Sequence, residues 1–281
     1  MTVLVTGASS GFGRAICHAL VGAGYRVLGA ARRAERLESL HQELGEQFLP
    51  LVMDMADTAA IDAALATLPA DFADIDCLVN NAGLALGLEA APEADFADWQ
   101  NMLQTNIVGL TYLTRQLLPA MVEKQRGYII NIGSIAGTYP YPGGNVYGAT
   151  KAYVRQFSLN LRADLAGTGV RVSNIEPGLC GGTEFSNVRF KGDDARAAAV
   201  YDQVDYLKAE DIADTVLWLY QRPAHMNVNS IEIMPVAQSF NPLAIWRPSP
   251  AERETQAAEP ASETKSKGLL ARLTGYLKGL D

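Results

Sequence analysis

Short apolar runs alternate with longer amphipathic stretches from the first residue to about Val236. The runs have the length and β-branched content of buried strands, and the stretches repeat their apolar residues at helical spacing. A chain patterned this way has few options. Strand, crossover helix and parallel strand, repeated, give a parallel sheet with helices on both faces. Strands are expected at residues 3–6, 26–31, 49–53, 77–80, 128–132, 171–176 and 230–234. Helices are expected near 11–22, 34–44, 58–67, 95–124, 146–166 and 209–220.

With 281 residues, 48% of them hydrophobic, the chain can bury a full core. No repeat or linker divides residues 1–246, which are expected to form one domain followed by a flexible tail at 247–281. The formal charge of −8 argues against a nucleic-acid surface or a polybasic membrane patch and favours a small-molecule partner. No apolar run approaches the roughly 20 residues that cross a bilayer, so no integral membrane segment is expected. The chain enters a strand at once, without the charged start and apolar run of a signal peptide. Cys17, Cys77 and Cys180 lack CxxC spacing and fit reduced thiols in a cytoplasmic protein. His18, His41 and His225 are isolated, so no metal site is expected.

Chemistry concentrates between Ile129 and Lys151, IINIGSIAGTYPYPGGNVYGATK. Ser134 follows an apolar strand, Tyr147 lies thirteen residues on, and Lys151 comes one helical turn later on the same face. These three can meet at the carboxyl edge of a parallel sheet, where open α/β folds bind ligands. A phenol near its reference pKa of about 10 is a poor acid or base at neutral pH, and a neighbouring ammonium favours phenolate. The serine hydroxyl can hold a carbonyl or alcohol oxygen while the phenol moves the proton. A tyrosine and a lysine four residues apart are more often an ordinary helix contact, so the rest of the chain has to decide.

The segment from Thr6 to Gly13, TGASSGFG, lies between the first strand and the first helix. Its glycines Gly7, Gly11 and Gly13 let backbone approach a pyrophosphate, and Ser9, Ser10 and Phe12 complete the turn at the positive end of the helix. The spacing departs from GxGxxG, so the position in a βαβ unit carries the reading. The second strand ends without the acid that binds the ribose 2′-OH of NAD, and Arg32 and Arg33 stand there instead, which selects NADP. Asp54 and Met55 end the third strand, where the carboxylate can accept from an adenine amine. Asn80, Asn81, Ala82 and Gly83 end the fourth and can brace the central strand.

Together these residues resemble the short-chain dehydrogenase/reductase family: TGASSGFG, NNAG at 80–83, Asn106, Ser134, Tyr147 with Lys151, and Pro177-Gly178. The resemblance covers residues 1–242. It implies a single Rossmann-type domain with a seven-stranded sheet in the order 3-2-1-4-5-6-7 and, commonly, a homotetramer. It further implies that Tyr147 is the general acid or base and that Lys151 lowers its pKa and holds the nicotinamide ribose. Ser134 would orient the substrate oxygen, Asn106 would support a relay water, and Pro177 and Gly178 would flank the nicotinamide. One departure is informative. Thr183 falls one position later than the family's usual threonine, and PGLCGGTEF with the following SNVRFKGDD is similar to a narrower group, the bacterial NADP-dependent 3-hydroxy acid dehydrogenases. That group acts on serine or allo-threonine and reduces malonic semialdehyde.

A carboxylate substrate calls for a cation, and Arg189 and Lys191 lie in the segment after Gly182, where a solvated loop charge is the alternative. Two other functions stand beside the hydroxy-acid reading: a reductase of bulkier ketones or 3-oxoacyl groups, and a noncatalytic nucleotide sensor. The sensor predicts a broken catalytic set, whereas all four residues are present. Leu110, Leu113, Leu117, Val154, Phe157 and Leu161 exceed what one sheet face needs and are candidates for subunit contact, unless all face the sheet. In the tail, Leu269, Leu270, Leu273, Leu277 and Leu280 recur at helical spacing, an amphipathic helix for a subunit contact or a membrane surface.

Overall fold

The computed structural model describes residues 1–240. The expected domain end at 246, the tail and its amphipathic helix lie outside the described residues. Seven strands are formed: β1 (Thr2–Thr6), β2 (Arg26–Ala31), β3 (Phe48–Val52), β4 (Ile75–Asn80), β5 (Gly127–Ile132), β6 (Val170–Pro177) and β7 (Ser230–Ile233). All pair in parallel in the order β3-β2-β1-β4-β5-β6-β7. The chain leaves β1 toward β2 on one side and later returns to add β4 on the other. That reversal opens a crevice at the carboxyl ends of β1 and β4.

Alternation along each strand divides the core in two. Val3, Val5, Cys77, Val79 and Ile130 face one layer with Ile16, Leu20, Leu37, Ile212 and Val216. Leu4, Leu28, Leu78 and Ile129 face the other with Ile61, Leu113, Met121 and Leu161. The helices supplying these layers are α1 (Gly11–Gly22), α2 (Ala34–Leu44), α3 (Thr58–Ala66), α4 (Ala70–Ala73), α5 (Phe96–Leu103), α6 (Leu110–Glu123), α7 (Asn145–Asp164), α8 (Phe185–Arg189), α9 (Asp194–Ala199) and α10 (Ala209–Tyr220). Local chemistry starts several of them. Asp57 accepts from Ala59 and Ala60 N–H, Asp95 accepts from Ala97 N–H, and the Asp211 carboxylate accepts from Lys208 N–H.

Two expectations need correction. The single helix expected over 95–124 is α5, a π turn at Gln104–Gly109, then α6. Hydrophobic periodicity does not register a one-turn π insertion, which often marks a functional site. The apolar residues read as candidates for subunit contact are mostly taken up within the chain: Leu113 and Leu161 are buried against the sheet, Leu110 and Val154 are buried, and Leu117 and Phe157 pack partly onto the sheet layer. The short α8 and α9, absent from the sequence reading, lie in the segment after β6.

Gly109, closing the π turn, brings α6 against the loop after β3. A Cβ there would stand 1.9 Å from the Met55 carbonyl oxygen, a backbone atom with no rotamer to move. Gly109→Ala is therefore expected to lower unfolding free energy by about 1–3 kcal/mol, the usual cost of overpacking. Urea titration checks this, and an unchanged midpoint contradicts it.

Candidate active site

Ser134 follows β5 as an extended residue, and its Oγ accepts from Ala136 N–H at 3.1 Å and lies 3.5 Å from the Pro177 carbonyl of β6. Tyr147 and Lys151 lie one turn apart near the start of α7, and both are about 8% exposed. The Ser134 hydroxyl lies near enough to the phenol of Tyr147 to favour its ionised form. Lys151 Nζ donates to the Ile132 carbonyl at 2.8 Å and stands 5.9 Å from the Tyr147 ring centroid. Phe185 of α8 covers the same ring at 5.8 Å between centroids. The three residues singled out from spacing thus converge at one strand end.

Their electrostatics differ from the expectation that the ammonium depresses the phenol. Burial pushes Tyr147 above its ordinary value, with the Ser134 hydroxyl and the Arg189 guanidinium acting against it. Burial also brings Lys151 down to about 8. Tyr147 is accordingly protonated at neutral pH, a donor rather than a standing phenolate.

Asn106 lies in the π turn and is 2% exposed, not the solvent-facing amide a surface helix allows. Its Oδ1 accepts from Leu84 N–H and its Nδ2 donates to Leu84 O, both at 2.9 Å, and to Thr150 Oγ1 at 3.1 Å. Asn106 therefore clamps the loop after β4 to α7 beside the tyrosine. Behind it, Asn80, Asn131 and Asn174 stand level on β4, β5 and β6. Asn80 Nδ2 donates to Asn131 Oδ1 at 2.8 Å and to Thr114 Oγ1 at 3.0 Å, and Asn131 donates to Ser158 Oγ of α7 at 2.8 Å.

The turn after β1 meets a dinucleotide's needs. Gly7 has φ +68°, and a Cβ on Gly13 would stand 2.2 Å from the Gly7 oxygen, so glycine is required at both. Ser10 makes no capping bond to α1, which leaves the first N–H groups of that helix for an anion. Arg33 Nε and Nη2 donate to Ser9 Oγ at 3.2 and 3.0 Å, and Nη2 donates to Ser10 Oγ at 2.9 Å. These donors fit a cofactor carrying phosphates. Arg32 is exposed at the bend after β2 and joins no ion pair among the described residues. Phe12 packs partly into the core.

The remaining strand ends mostly brace. Asn81 Nδ2 donates to Thr6 O at 2.8 Å, and Asn81 and Ala82 N–H both donate to Thr6 Oγ1. Gly83 leaves room for Lys151, whose Nζ would lie 3.5 Å from a Cβ there. Asp54 Oδ1 accepts from Ala56 N–H at 2.9 Å, turning the chain, and the Met55 side chain is buried in the core. Gly178 N–H donates to Ile233 O at 2.7 Å just beyond Pro177. Thr183 crosses over the dinucleotide turn, 3.2 Å from where a Cβ on Gly11 would be.

Arg189 reaches the centre. Its Nε donates to Gly87 O at 3.1 Å and its Nη2 to Tyr141 Oη at 2.8 Å, and its Cζ lies 5.7 Å from the Tyr147 ring centroid. Lys191 instead pairs with Asp98 at 2.8 Å. Sequence reading missed Tyr141, Thr150, Phe185, Arg36 and Glu184. Arg36 was within reach, because it lies three residues after Arg33 in the first turn of α2; Glu184 pairs with both arginines at 2.8 and 2.6 Å across about 150 residues of chain. Partial burial pushes the Glu184 carboxyl up, but hydrogen bonds from Arg36 and Arg33 outweigh it and hold it below the ordinary value.

Among the described residues no helix is long and apolar enough to cross a membrane, and no His, Cys, Asp and Glu cluster could hold a metal. Residues 1–194 match the family model described as short chain dehydrogenase. A probable NADP-dependent dehydrogenase of Haemophilus influenzae is 62% identical over 244 residues, 87% of this chain and 97% of that relative. An NADP-dependent 3-hydroxy acid dehydrogenase of Salmonella typhi is 58% identical over 247 residues, 88% of this chain and 100% of the relative. The closed form of a serine dehydrogenase complexed with NADP+ is similar in structure, with a TM-score of 0.87 and 55% identity over 88% of this chain and 100% of that one. With its sheet order, its site and these matches, the chain belongs to the short-chain dehydrogenase family.

Proposed function

We propose that the protein is an NADP-dependent oxidoreductase of small 3-hydroxy acids, of the serine, allo-threonine or 3-hydroxypropionate and malonic semialdehyde type. The observation that carries the substrate is Arg189, a guanidinium anchored 5.7 Å from the Tyr147 ring centroid. A carboxylate on its fork sets a carbinol a few bonds away, beside the phenol and Ser134. The activities of the relatives point the same way.

Bound in the cleft, NADP(H) supplies or accepts the hydride. Ser134 holds the substrate oxygen. Tyr147 gives that oxygen its proton in carbonyl reduction and removes it in alcohol oxidation, and the raised pKa keeps the proton in place for donation. Lys151 holds the ribose and offsets negative charge arising on the phenol. Asn106 supports the relay water by fixing Leu84 and Thr150. Arg33, Ser9 and Ser10 receive the 2′-phosphate, the turn from Gly7 to Gly13 takes the pyrophosphate, and Asp54 takes the adenine. Asn81, Ala82, Gly83, Pro177, Gly178 and Thr183 line the remaining path of the cofactor.

The enzyme is cytoplasmic and a homotetramer in this reading, residues 1–246 forming its catalytic domain. Leu103, Val108, Tyr153 and Leu159 are large apolar side chains exposed on α5, the π turn and α7, and they suit a contact between copies. Light scattering at micromolar concentration is expected to give four chains; a monomer contradicts the assembly.

The substrate is tested by following NADP reduction with L-serine, L-allo-threonine and 3-hydroxypropionate against an uncharged secondary alcohol. Arg189→Ala is expected to raise KM for the acids about tenfold or more and to leave the alcohol nearly unchanged. An equal rise for both removes the carboxylate role, and turnover of bulky ketones alone favours the second reading.

Lys151 allows a pH test. Its folded pKa of about 8 lies below the 10.5 of the free side chain. The unfolded chain therefore binds more protons between those values, and stability rises with pH across that window. Below pH 8 the buried ammonium costs on the order of 3 kcal/mol, reduced by its hydrogen bond to Ile132. Lys151→Met is expected to raise Tm at pH 7 without added cofactor, with the gain fading toward pH 10, while turnover falls about 100-fold or more. A lower Tm at pH 7 contradicts this.

A further inference from the structure

Glu184 occupies an unusual place. Its carboxylate binds Arg33 Nη1 at 2.8 Å and Arg36 Nη1 at 2.6 Å, while the other edge of Arg33 rests on Ser9 and Ser10 at the start of the dinucleotide turn. Its neighbour Thr183 lies over Gly11. On the following α8, Phe185 covers Tyr147 and Arg189 is tied to Gly87 and Tyr141. Seven residues, 183–189, are thus held at one end by the arginine pair and at the other by the catalytic centre.

We infer that Glu184 is a specificity-determining residue: an internal anion on Arg33 and Arg36 with which a cofactor's 2′-phosphate must compete as it binds. The inference rests on the NADP reading above. Two arginines and one carboxylate leave the cradle a single net positive charge. A phosphomonoester brings a charge of about −1.5 to −2 at neutral pH, and it competes with Glu184 for the same N–H donors. A cofactor without that phosphate has nothing with which to displace the carboxylate. Cofactor discrimination therefore includes a competition within the protein as well as the attraction of Arg33.

The test uses adenosine fragments rather than turnover. Calorimetry measures Kd for 2′,5′-ADP, which carries the 2′-phosphate, and for 5′-ADP, which does not, with the wild type and Glu184→Gln. The glutamine keeps the side chain and removes the charge. Tightening of 2′,5′-ADP by roughly two- to tenfold is expected, as two half-exposed ion pairs set the scale, with 5′-ADP unchanged. Unchanged or weaker binding of 2′,5′-ADP by Glu184→Gln overturns the inference, as does an equal tightening of 5′-ADP. If the wild type shows no preference for 2′,5′-ADP over 5′-ADP, the NADP reading of Arg33 falls, and the displacement falls with it.

Discussion

A lysine ammonium withdrawn from water is the constraint around which this site is arranged. Among the described residues, Lys151 Nζ donates to the carbonyl of Ile132 at the end of β5. Withdrawal from water costs free energy, which its fall to about 8 expresses. Such a group persists only if its helix cannot move. α7 is fixed from behind by the asparagines of β4 and β5 through Ser158, from the side by Asn106 through Thr150, and farther along by Arg155 on the buried Glu176. These are polar contacts inside a low-dielectric layer, where pairing matters more than in water.

The same rigidity determines how acidic the tyrosine is. A phenol in this enclosure keeps its proton, because burial disfavours phenolate more than Ser134 and Arg189 favour it. The site is therefore prepared to stabilise charge that develops during reaction rather than charge present at rest, the arrangement that accelerates chemistry rather than binding alone. Ser134, Lys151 and Arg189 come from a strand end, a long helix and a covering segment. Each is fixed by a different part of the fold.

Much of this was legible in the chain. Strand and helix ranges followed from periodicity, and α1, α2, β2 and α10 fall at the expected residues. Ser134, Tyr147 and Lys151 were found as chemistry at a spacing, and Asn106 through the family resemblance. What escaped were features without a local signature. The π turn that buries Asn106 inserts itself into an apolar pattern that reads as continuous helix. The leucines and valine of α6 and α7 read as surplus because a sequence does not say how wide a layer must be filled.

Residue order alone determined the sheet of parallel strands, the glycine turn at its first crossover and the tyrosine one turn before a lysine. Those are short-range statements, set by side-chain period, by the φ a glycine adopts and by the 3.6-residue turn. Tertiary structure decided that Arg33 shares its charge with Glu184, that Arg189 and not Lys191 faces the tyrosine, and that burial outweighs Arg189 in setting the phenol's proton affinity. Each of these depends on groups 40 to 150 residues apart in the chain, whose distance and exclusion of water exist only once the sheet has closed.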